Sequence, residues 1–146
     1  MKKVFISYSH DSESLKEWVR KLASALNSGG IKTILDQEDL RLGELIETFQ
    51  SDGIDGADRV LIICSNGYLE KVANESNTGA AQEKQIVSSR VREDPSTHKF
   101  IPILRDTEKV DLPPCLKGRL ALDCREDSSF QENIQKLIRE INQENT

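Results

Sequence analysis

The sequence predicts an α/β fold in which helices cover both faces of an open, parallel five-stranded sheet. Five short apolar runs alternate with polar turns and stretches of helical periodicity, and residues 60–63 of one run read Val-Leu-Ile-Ile without a break. Strands that are buried on both faces of a parallel sheet have this continuous apolar character. A length of 146 residues suits one domain. Right-handed crossovers then favour the flavodoxin-like strand order 2-1-3-4-5.

The five apolar runs define the predicted strands. They are residues 4–6, 32–35, 59–64, 100–104 and 120–123. The third run is the most continuous, so we expect it at the centre of the sheet. Pro102 lacks a backbone N–H, which predicts that the fourth strand lies near the sheet edge or is irregular. The fifth run is the weakest.

Helical periodicity separates most of these strands. Asp11 or Ser12 can cap a first helix, which Gly29-Gly30 ends. A polar loop, 36–43, precedes a second, amphipathic helix that carries Leu45, Ile46 and Phe49. Residues 65–78 are polar and lack clear periodicity, so we expect only a short packed turn around Tyr68, Leu69 and Val72. Another helix is predicted at 79–92. Ser128 with Gln131, or Ser129 with Glu132, forms a capping box that begins the last helix.

Composition narrows the class of protein. A net charge of −5 gives no basic footprint for nucleic acid, and no apolar run approaches the roughly 20 residues that cross a membrane. The N-terminus lacks the pattern of a signal peptide, so we expect a cytoplasmic domain at residues 1–143, with 144–146 as a polar tail that can link to a sensor domain. Three cysteines without Cys-x-x-Cys spacing and two distant histidines predict no disulfide framework and no metal site.

The usual catalytic motifs are absent from the sequence. No Gly-x-Gly-x-x-Gly follows the first strand, no Walker-type Gly-Lys-Ser occurs, and no Ser, His and Asp set is suggested by spacing. A phosphoacceptor receiver needs an acidic pair after strand one and an aspartate at the end of strand three, where this chain has Tyr8-Ser9 and Cys64-Ser65. A dehydrogenase, a P-loop NTPase, an ordinary hydrolase and a receiver are therefore all disfavoured.

Two features indicate where a site would lie. Ligands of open α/β sheets bind where the strand order reverses, here between strands one and three, which predicts a site at residues 8–11 and 65–68. In the helix that begins near Gly79, Glu83 lies on one stripe with Val87 and Val91, which predicts that it faces the sheet near the positive end of the helix dipole. The alternative is that Glu83 caps its helix or pairs with a lysine.

Three segments resemble one family. Residues 4–9, Val-Phe-Ile-Ser-Tyr-Ser, resemble the first conserved box of TIR domains, and residues 36–43 resemble their BB loop. The motifs of this chain are similar to those of the bacterial SEFIR-like branch of the family. That branch typically has Tyr-Ser-His-Asp, then Asp-x-x-Asp-Leu-x-x-Gly, then Glu-Lys on a helix after a glycine-containing loop. Here these are residues 8–11, 36–43 and 79–84. The resemblance covers nearly the whole chain.

The resemblance implies two alternative functions. Some TIR domains cleave the nicotinamide–ribose bond of NAD, and others are adaptors that assemble signalling complexes through homotypic contacts. In the enzymes a glutamate after the third strand is catalytic, and Glu83 matches it. This carboxylate can stabilise the cationic ribose that remains when nicotinamide leaves. The expectation is an NAD-consuming effector of bacterial antiviral defence that forms ADP-ribose or a cyclic isomer, with NAD as substrate and no cofactor. The alternative is a non-catalytic interaction module.

The resemblance also assigns roles to residues around the site. Tyr8, Ser9 and His10 would line the nicotinamide and ribose end, and Asp36 would bind a ribose hydroxyl. Ser65 and Tyr68 belong to the predicted substrate site at the strand reversal, and Tyr68 or a neighbouring subunit would stack on the base, because Gly79 stands where many TIR enzymes have tryptophan. The docking residues of the BB loop would be Asp39, Leu40, Arg41, Leu42 and Gly43. The alternatives are that Tyr8 is a core residue and that Ser9 and Asp36 are turn residues.

Overall fold

The sheet has five parallel strands in the order β2-β1-β3-β4-β5, as the sequence predicts. In this computed structural model the described residues are 1–73, 79–107 and 112–143, and the side chains of 71–85 lie outside the description. The strands are β1 (Lys3–Ser7), β2 (Lys32–Ile34), β3 (Arg59–Cys64), β4 (Phe100–Leu104) and β5 (Leu122–Asp123). All six residues of β3 are buried, which confirms its central position.

Six helices occur among the described residues. They are α1 (Glu13–Ser28), α2 (Asp36–Asp39), α3 (Ile46–Gly56), α4 (Asn66–Ala73), α5 (Gly79–Glu93) and α6 (Phe130–Asn142). Ser12 begins α1, because its side chain accepts a hydrogen bond from Leu15 N. No helix in the described part of the chain combines the length and the apolar character that a membrane span requires.

Two hydrophobic clusters cover the two faces of the sheet. Successive strand residues point to opposite faces, so Val4 and Ile6 join one cluster and Phe5 joins the other. The first cluster includes the apolar faces of α1 and α6. The second includes residues of α3, α4 and α5, among them Ile54 and Val87. The carboxyl ends of the strands therefore form one edge between the two helical layers, where the candidate site lies.

Two segments that were expected to lack regular structure are helical. Residues 36–39 form a single helical turn. A hydrogen bond from Leu35 N to Asp39 Oδ2, 2.8 Å long, links the residue before this turn to its last residue. The segment 65–78 was predicted as a polar stretch with a short turn, but residues 66–73 form the helix α4. Ser65 caps this helix, since its Oγ accepts a hydrogen bond from Tyr68 N at 3.2 Å.

Two local predictions need correction, and a third is confirmed. Leu45 precedes α3 and is 73% exposed, and Ile46 is 53% exposed, so neither is buried on the inner face of that helix. The predicted capping box at α6 is not formed: Ser129 makes no side-chain cap hydrogen bond, and a 3-10 turn at Asp127–Ser129 leads directly into the helix. The prediction for Pro102 is confirmed, because it lies in β4, next to the edge strand β5, which pairs only with the two residues that follow Pro102.

Candidate functional site

One carboxylate at the sheet edge is held by two aromatic side chains from the end of β1. Tyr8 Oη donates to Asp36 Oδ1 over 2.7 Å, and His10 Nε2 lies 2.7 Å from Asp36 Oδ2. Asp36 Oδ1 also accepts from the backbone N–H of Gln37 at 2.8 Å. The rings of Tyr8 and His10 are 4.9 Å apart and inclined at 32°. Both carboxylate oxygens of Asp36 thus accept hydrogen bonds from protein groups. We call Tyr8, His10, Asp36 and the backbone N–H of Gln37 the Asp36 cluster.

The environment keeps Asp36 ionised. Burial opposes the charge, but the hydrogen bonds from His10 and Tyr8, the charge of His10 and the Gln37 N–H together outweigh it and lower the pKa of Asp36 below 3.8. Tyr8 is buried, whereas half of the His10 side chain remains exposed. The imidazole is therefore the more exposed partner of the His10–Asp36 pair, and it lies against an ionised carboxylate.

A second carboxylate ties the end of β1 to the start of α4. Ser65 Oγ donates to Asp11 Oδ2 over 2.6 Å, and the Gly67 N–H donates to the same oxygen over 3.1 Å. A side chain at position 67 would overlap the Asp11 carboxylate, so only glycine permits this approach. Asp11 is therefore the residue that fixes the distance between the two loops on either side of the strand reversal.

The remaining expected substrate residues at this edge are buried. Ser9, Ser65 and Tyr68 are each at most 1% exposed. The hydroxyls of Tyr68 and Ser7 lie 3.4 Å apart in a hydrogen bond that either can donate. The ring of Tyr68 belongs to the core cluster on the face of α3 and α5, and it offers no exposed face on which a base could stack in this conformation.

Glu83 lies on α5, which follows α4 along the chain. The helix starts at Gly79, so residue 83 falls within its first turns, as expected. The Glu83 side chain lies outside the described residues. Further along the same helix Val87 and Val91 are buried in the core, which identifies the side of α5 that packs on the sheet.

The BB loop presents apolar side chains to solvent. Leu42 is fully exposed, and Leu45 and Ile46 follow it at the start of α3. A turn holds the loop in shape: Arg41 N donates to Glu44 Oε1 at 2.9 Å, and Glu44 N donates to Arg41 O. Gly43 has a φ of 85°, a conformation that favours glycine. We call Leu42, Leu45 and Ile46 the BB-loop patch.

Two surface cavities lie at the opposite end of the sheet, beside β5. The larger, of about 630 Å³, includes Leu104, Lys117 and Leu120 in its lining. The smaller, of about 190 Å³, lies between β5 and α6 and also includes Leu120, which is 94% exposed. Within the described part of the chain, no three His, Cys, Asp or Glu side chains converge in a way that could hold a metal ion.

The sequence predicts a candidate site at this edge of the sheet but does not predict which of its residues are in contact. Asp11 and Gly67 fall within the ranges predicted for the site, 8–11 and 65–68, and Asp11 is also a candidate helix cap, but the sequence does not predict that they are in contact. The signal for them was weak, because the pairing joins residues more than 50 positions apart in sequence. For Asp36, the resemblance to BB loops identified the residue, but only the structure shows that Tyr8 and His10 are its partners.

Comparisons with known proteins agree with this architecture. The profile of the TIR domain matches residues 4–138, so the chain belongs to the TIR domain family. A prokaryotic SEFIR domain is 31% identical, with a TM-score of 0.77 over 98% of this chain and 100% of that one, which supports the SEFIR-like assignment. A search among curated proteins found no match.

Two more distant solved structures share the fold. The TIR domain of a Toll-related receptor from Hydra magnipapillata is 23% identical, with a TM-score of 0.70 over 96% of this chain and 98% of that chain. The SEFIR domain of interleukin-17 receptor B is 12% identical, with a TM-score of 0.62 over 97% of both chains. At these identities the likeness concerns architecture alone.

Proposed function

We propose that this domain cleaves the nicotinamide–ribose bond of NAD and releases nicotinamide with ADP-ribose or a cyclic isomer. The observation that supports this most is the position of Glu83 in the first turns of α5, one helical turn before the buried Val87. Residues four apart lie on one side of a helix, which is the basis of the sequence expectation that Glu83 faces the sheet. The resemblance to TIR enzymes implies a catalytic glutamate at this position.

The proposed chemistry needs a carboxylate and little else. Nicotinamide leaves with the electron pair of the C–N bond as a neutral base, and the positive charge passes to the ribose ring. A carboxylate held near that ring stabilises the charge as it develops. The N-terminal end of α5 favours an ionised glutamate through the helix dipole. An enzyme of this kind, working as an effector that depletes NAD, would serve in bacterial antiviral defence.

The direct experiment is to incubate the purified domain with NAD and to measure free nicotinamide by chromatography. NADH is the matched control substrate, because its dihydronicotinamide carries no positive charge and is a poor leaving group. We expect nicotinamide from NAD and none from NADH. Absence of nicotinamide release from NAD at every protein concentration, including one that supports self-association, would reject the enzyme and leave the interaction module.

A second candidate function, homotypic assembly, is favoured by the exposure of the BB-loop patch. The segment around this patch is rich in carboxylates: Asp36, Glu38, Asp39, Glu44 and Glu47. The apolar surface around Leu120, at the opposite edge of the sheet, adjoins Lys117, Arg119 and Lys136. Two carboxylates, Asp123 and Glu140, line the same cavities, so the charge beside Leu120 is mixed. The exposed apolar side chains on the two edges are what suits a head-to-tail contact between copies of the chain.

Complementation tests this contact. Leu42→Glu disrupts the BB-loop patch, which we call the donor surface of the contact, and Leu120→Glu disrupts the surface around Leu120, which we call the acceptor surface. Each variant alone should therefore stay monomeric in light scattering. A mixture of the two retains one intact donor and one intact acceptor, and it should form heterodimers that do not grow further. Self-association of either single variant at the wild-type level would contradict the head-to-tail arrangement.

A further inference from the structure

The Asp36 cluster is built like a catalytic dyad. A carboxylate that stays ionised can only accept a hydrogen bond, so the contact of 2.7 Å between Asp36 Oδ2 and His10 Nε2 requires the proton to be on Nε2. The lone pair of neutral His10 is then on Nδ1. Among the described residues no hydrogen bond to His10 Nδ1 is found, and half of the side chain is exposed.

The imidazole is also fixed in orientation. The Tyr8 ring lies 4.9 Å from it, and Tyr8 Oη holds the other oxygen of the same carboxylate. Tyr8 is buried, and the carboxylate is further held by the Gln37 N–H. One imidazole nitrogen is thus bonded to a carboxylate that two other groups, Tyr8 Oη and the Gln37 N–H, hold in place. An arrangement that holds one tautomer and leaves the other nitrogen open is the geometry of a general base.

We propose that His10, oriented by Asp36, is the general base that activates water in NAD hydrolysis. This inference rests on the proposed NAD cleavage. After nicotinamide has left with the C–N electron pair, the oxygen of a water molecule forms a bond to C1′ of the cationic ribose. The proton of that water passes to His10 Nδ1, and Asp36 stabilises the resulting imidazolium. The products are ADP-ribose and nicotinamide, and the proton is later released to solvent.

The role assigned to Asp36 changes accordingly. Its two oxygens already accept hydrogen bonds from Tyr8, Gln37 and His10, so Asp36 is a positioning residue for the imidazole in place of a ligand for a ribose hydroxyl. A purely structural alternative also exists, in which His10 and Asp36 only anchor the BB loop to the end of β1. If His10 is the general base, only a nucleophile that must lose a proton needs it. If His10 is only an anchor, its loss should affect every nucleophile alike.

A pyridine nucleophile separates the two roles. Attack by a pyridine nitrogen on C1′ exchanges the base of NAD and needs no proton removal, whereas attack by water does. The variant His10→Gln can still donate an amide hydrogen bond to Asp36, so it retains the anchor and removes the base. We expect its ADP-ribose formation to fall about a hundredfold or more. Base exchange should stay within a few fold of wild type, so the exchange-to-hydrolysis ratio rises.

The exposed second histidine supplies the control, because His98→Gln should leave both rates unchanged. Nitrogen-15 NMR of the imidazoles adds a measurement that needs no turnover: wild-type His10 should be the Nε2–H tautomer, and Asp36→Asn should lose this preference. An unchanged exchange-to-hydrolysis ratio in His10→Gln, or an Nδ1–H tautomer in the wild type, would overturn the inference. Failure of the proposed function is distinguishable, since the wild type would then release no nicotinamide.

Discussion

Substituting Gly67 by alanine should reveal how tightly the end of β1 is tied to α4. The added Cβ would overlap Asp11, so the carboxylate must move and lose its bonds to Ser65 Oγ and to the residue 67 N–H. Hydrogen bonds to a charged group contribute about 1.5 to 3 kcal/mol each. Because Asp11 is exposed, water replaces part of them, and we take about 2 kcal/mol for the pair together.

Helix propensity acts in the opposite direction. Alanine is favoured over glycine in a helix by up to about 1 kcal/mol, and Gly67 has no left-handed φ that alanine would strain. The free energy of unfolding of Gly67→Ala should therefore fall by about 1 to 2 kcal/mol. In an Asp11→Ala background there is no carboxylate to displace, so the same substitution should be neutral or stabilising by up to about 1 kcal/mol.

Urea denaturation of the four proteins in this double-mutant cycle measures the coupling. We expect a coupling free energy of about 2 kcal/mol between positions 11 and 67, with a change of sign between the two backgrounds. An equal loss of stability from Gly67→Ala in both backgrounds would refute the contact with Asp11 as the reason for glycine at this position.

Three further outcomes follow from charged and reactive groups. Because the pKa of Asp36 is lowered in the folded protein, the ionised carboxylate stabilises the fold fully above pH 3.8, its ordinary pKa, and this stabilisation is lost as the pH falls through the folded pKa. In thermal melts, the difference in stability between wild type and Asp36→Asn should therefore shrink below about pH 4. A difference that stays constant with pH would contradict this. Burial, and then the charge of Asp123, raises the pKa of the Cys124 thiol to about 11, so little reactive thiolate forms there at pH 8. Maleimide should therefore label the half-buried Cys115 before Cys124, as followed by mass spectrometry. Equal labelling rates for the two cysteines would contradict this. Arg90 of α5 binds both oxygens of Asp55 of α3, at 2.6 and 2.8 Å, on the protein surface. Because surface ion pairs contribute little, Asp55→Ala should lower the free energy of unfolding by at most about 1 kcal/mol, and the exchanged pair Asp55→Arg with Arg90→Asp should restore part of that loss. If the exchanged pair restores none of it, the ion pair is not what stabilises α3 against α5.

The parts of the fold that depend on local patterns were predictable from sequence. The run at 59–64 contains four consecutive aliphatic residues, 60–63, which suit a doubly buried strand, and it is the central strand β3. Ser12 caps α1 as its position suggested. The helix α4 was missed because residues 66–73 have little periodicity, and its start depends on the Ser65 cap together with burial of Tyr68.

The site required tertiary information. Tyr8 and Asp36 are 28 positions apart, and Asp11 and Ser65 are 54 apart, so no local pattern in the sequence pairs them. A polar residue after a parallel strand predicts an edge location, but which polar residues share a hydrogen bond depends on loop conformation. The exposure of Leu45 and Ile46 was likewise unpredictable, because helical periodicity does not tell at which residue a helix begins.

The most direct test of the central proposal is nicotinamide release by Glu83→Gln. Glutamine keeps the size and the hydrogen-bonding reach of the side chain and removes only the charge. Turnover of NAD should fall at least about a hundredfold, while circular dichroism and melting temperature stay those of the wild type. Glu93→Gln, at the exposed end of the same helix, is the matched control and should retain full turnover. Wild-type turnover by Glu83→Gln would contradict the assignment of this carboxylate as the catalytic group.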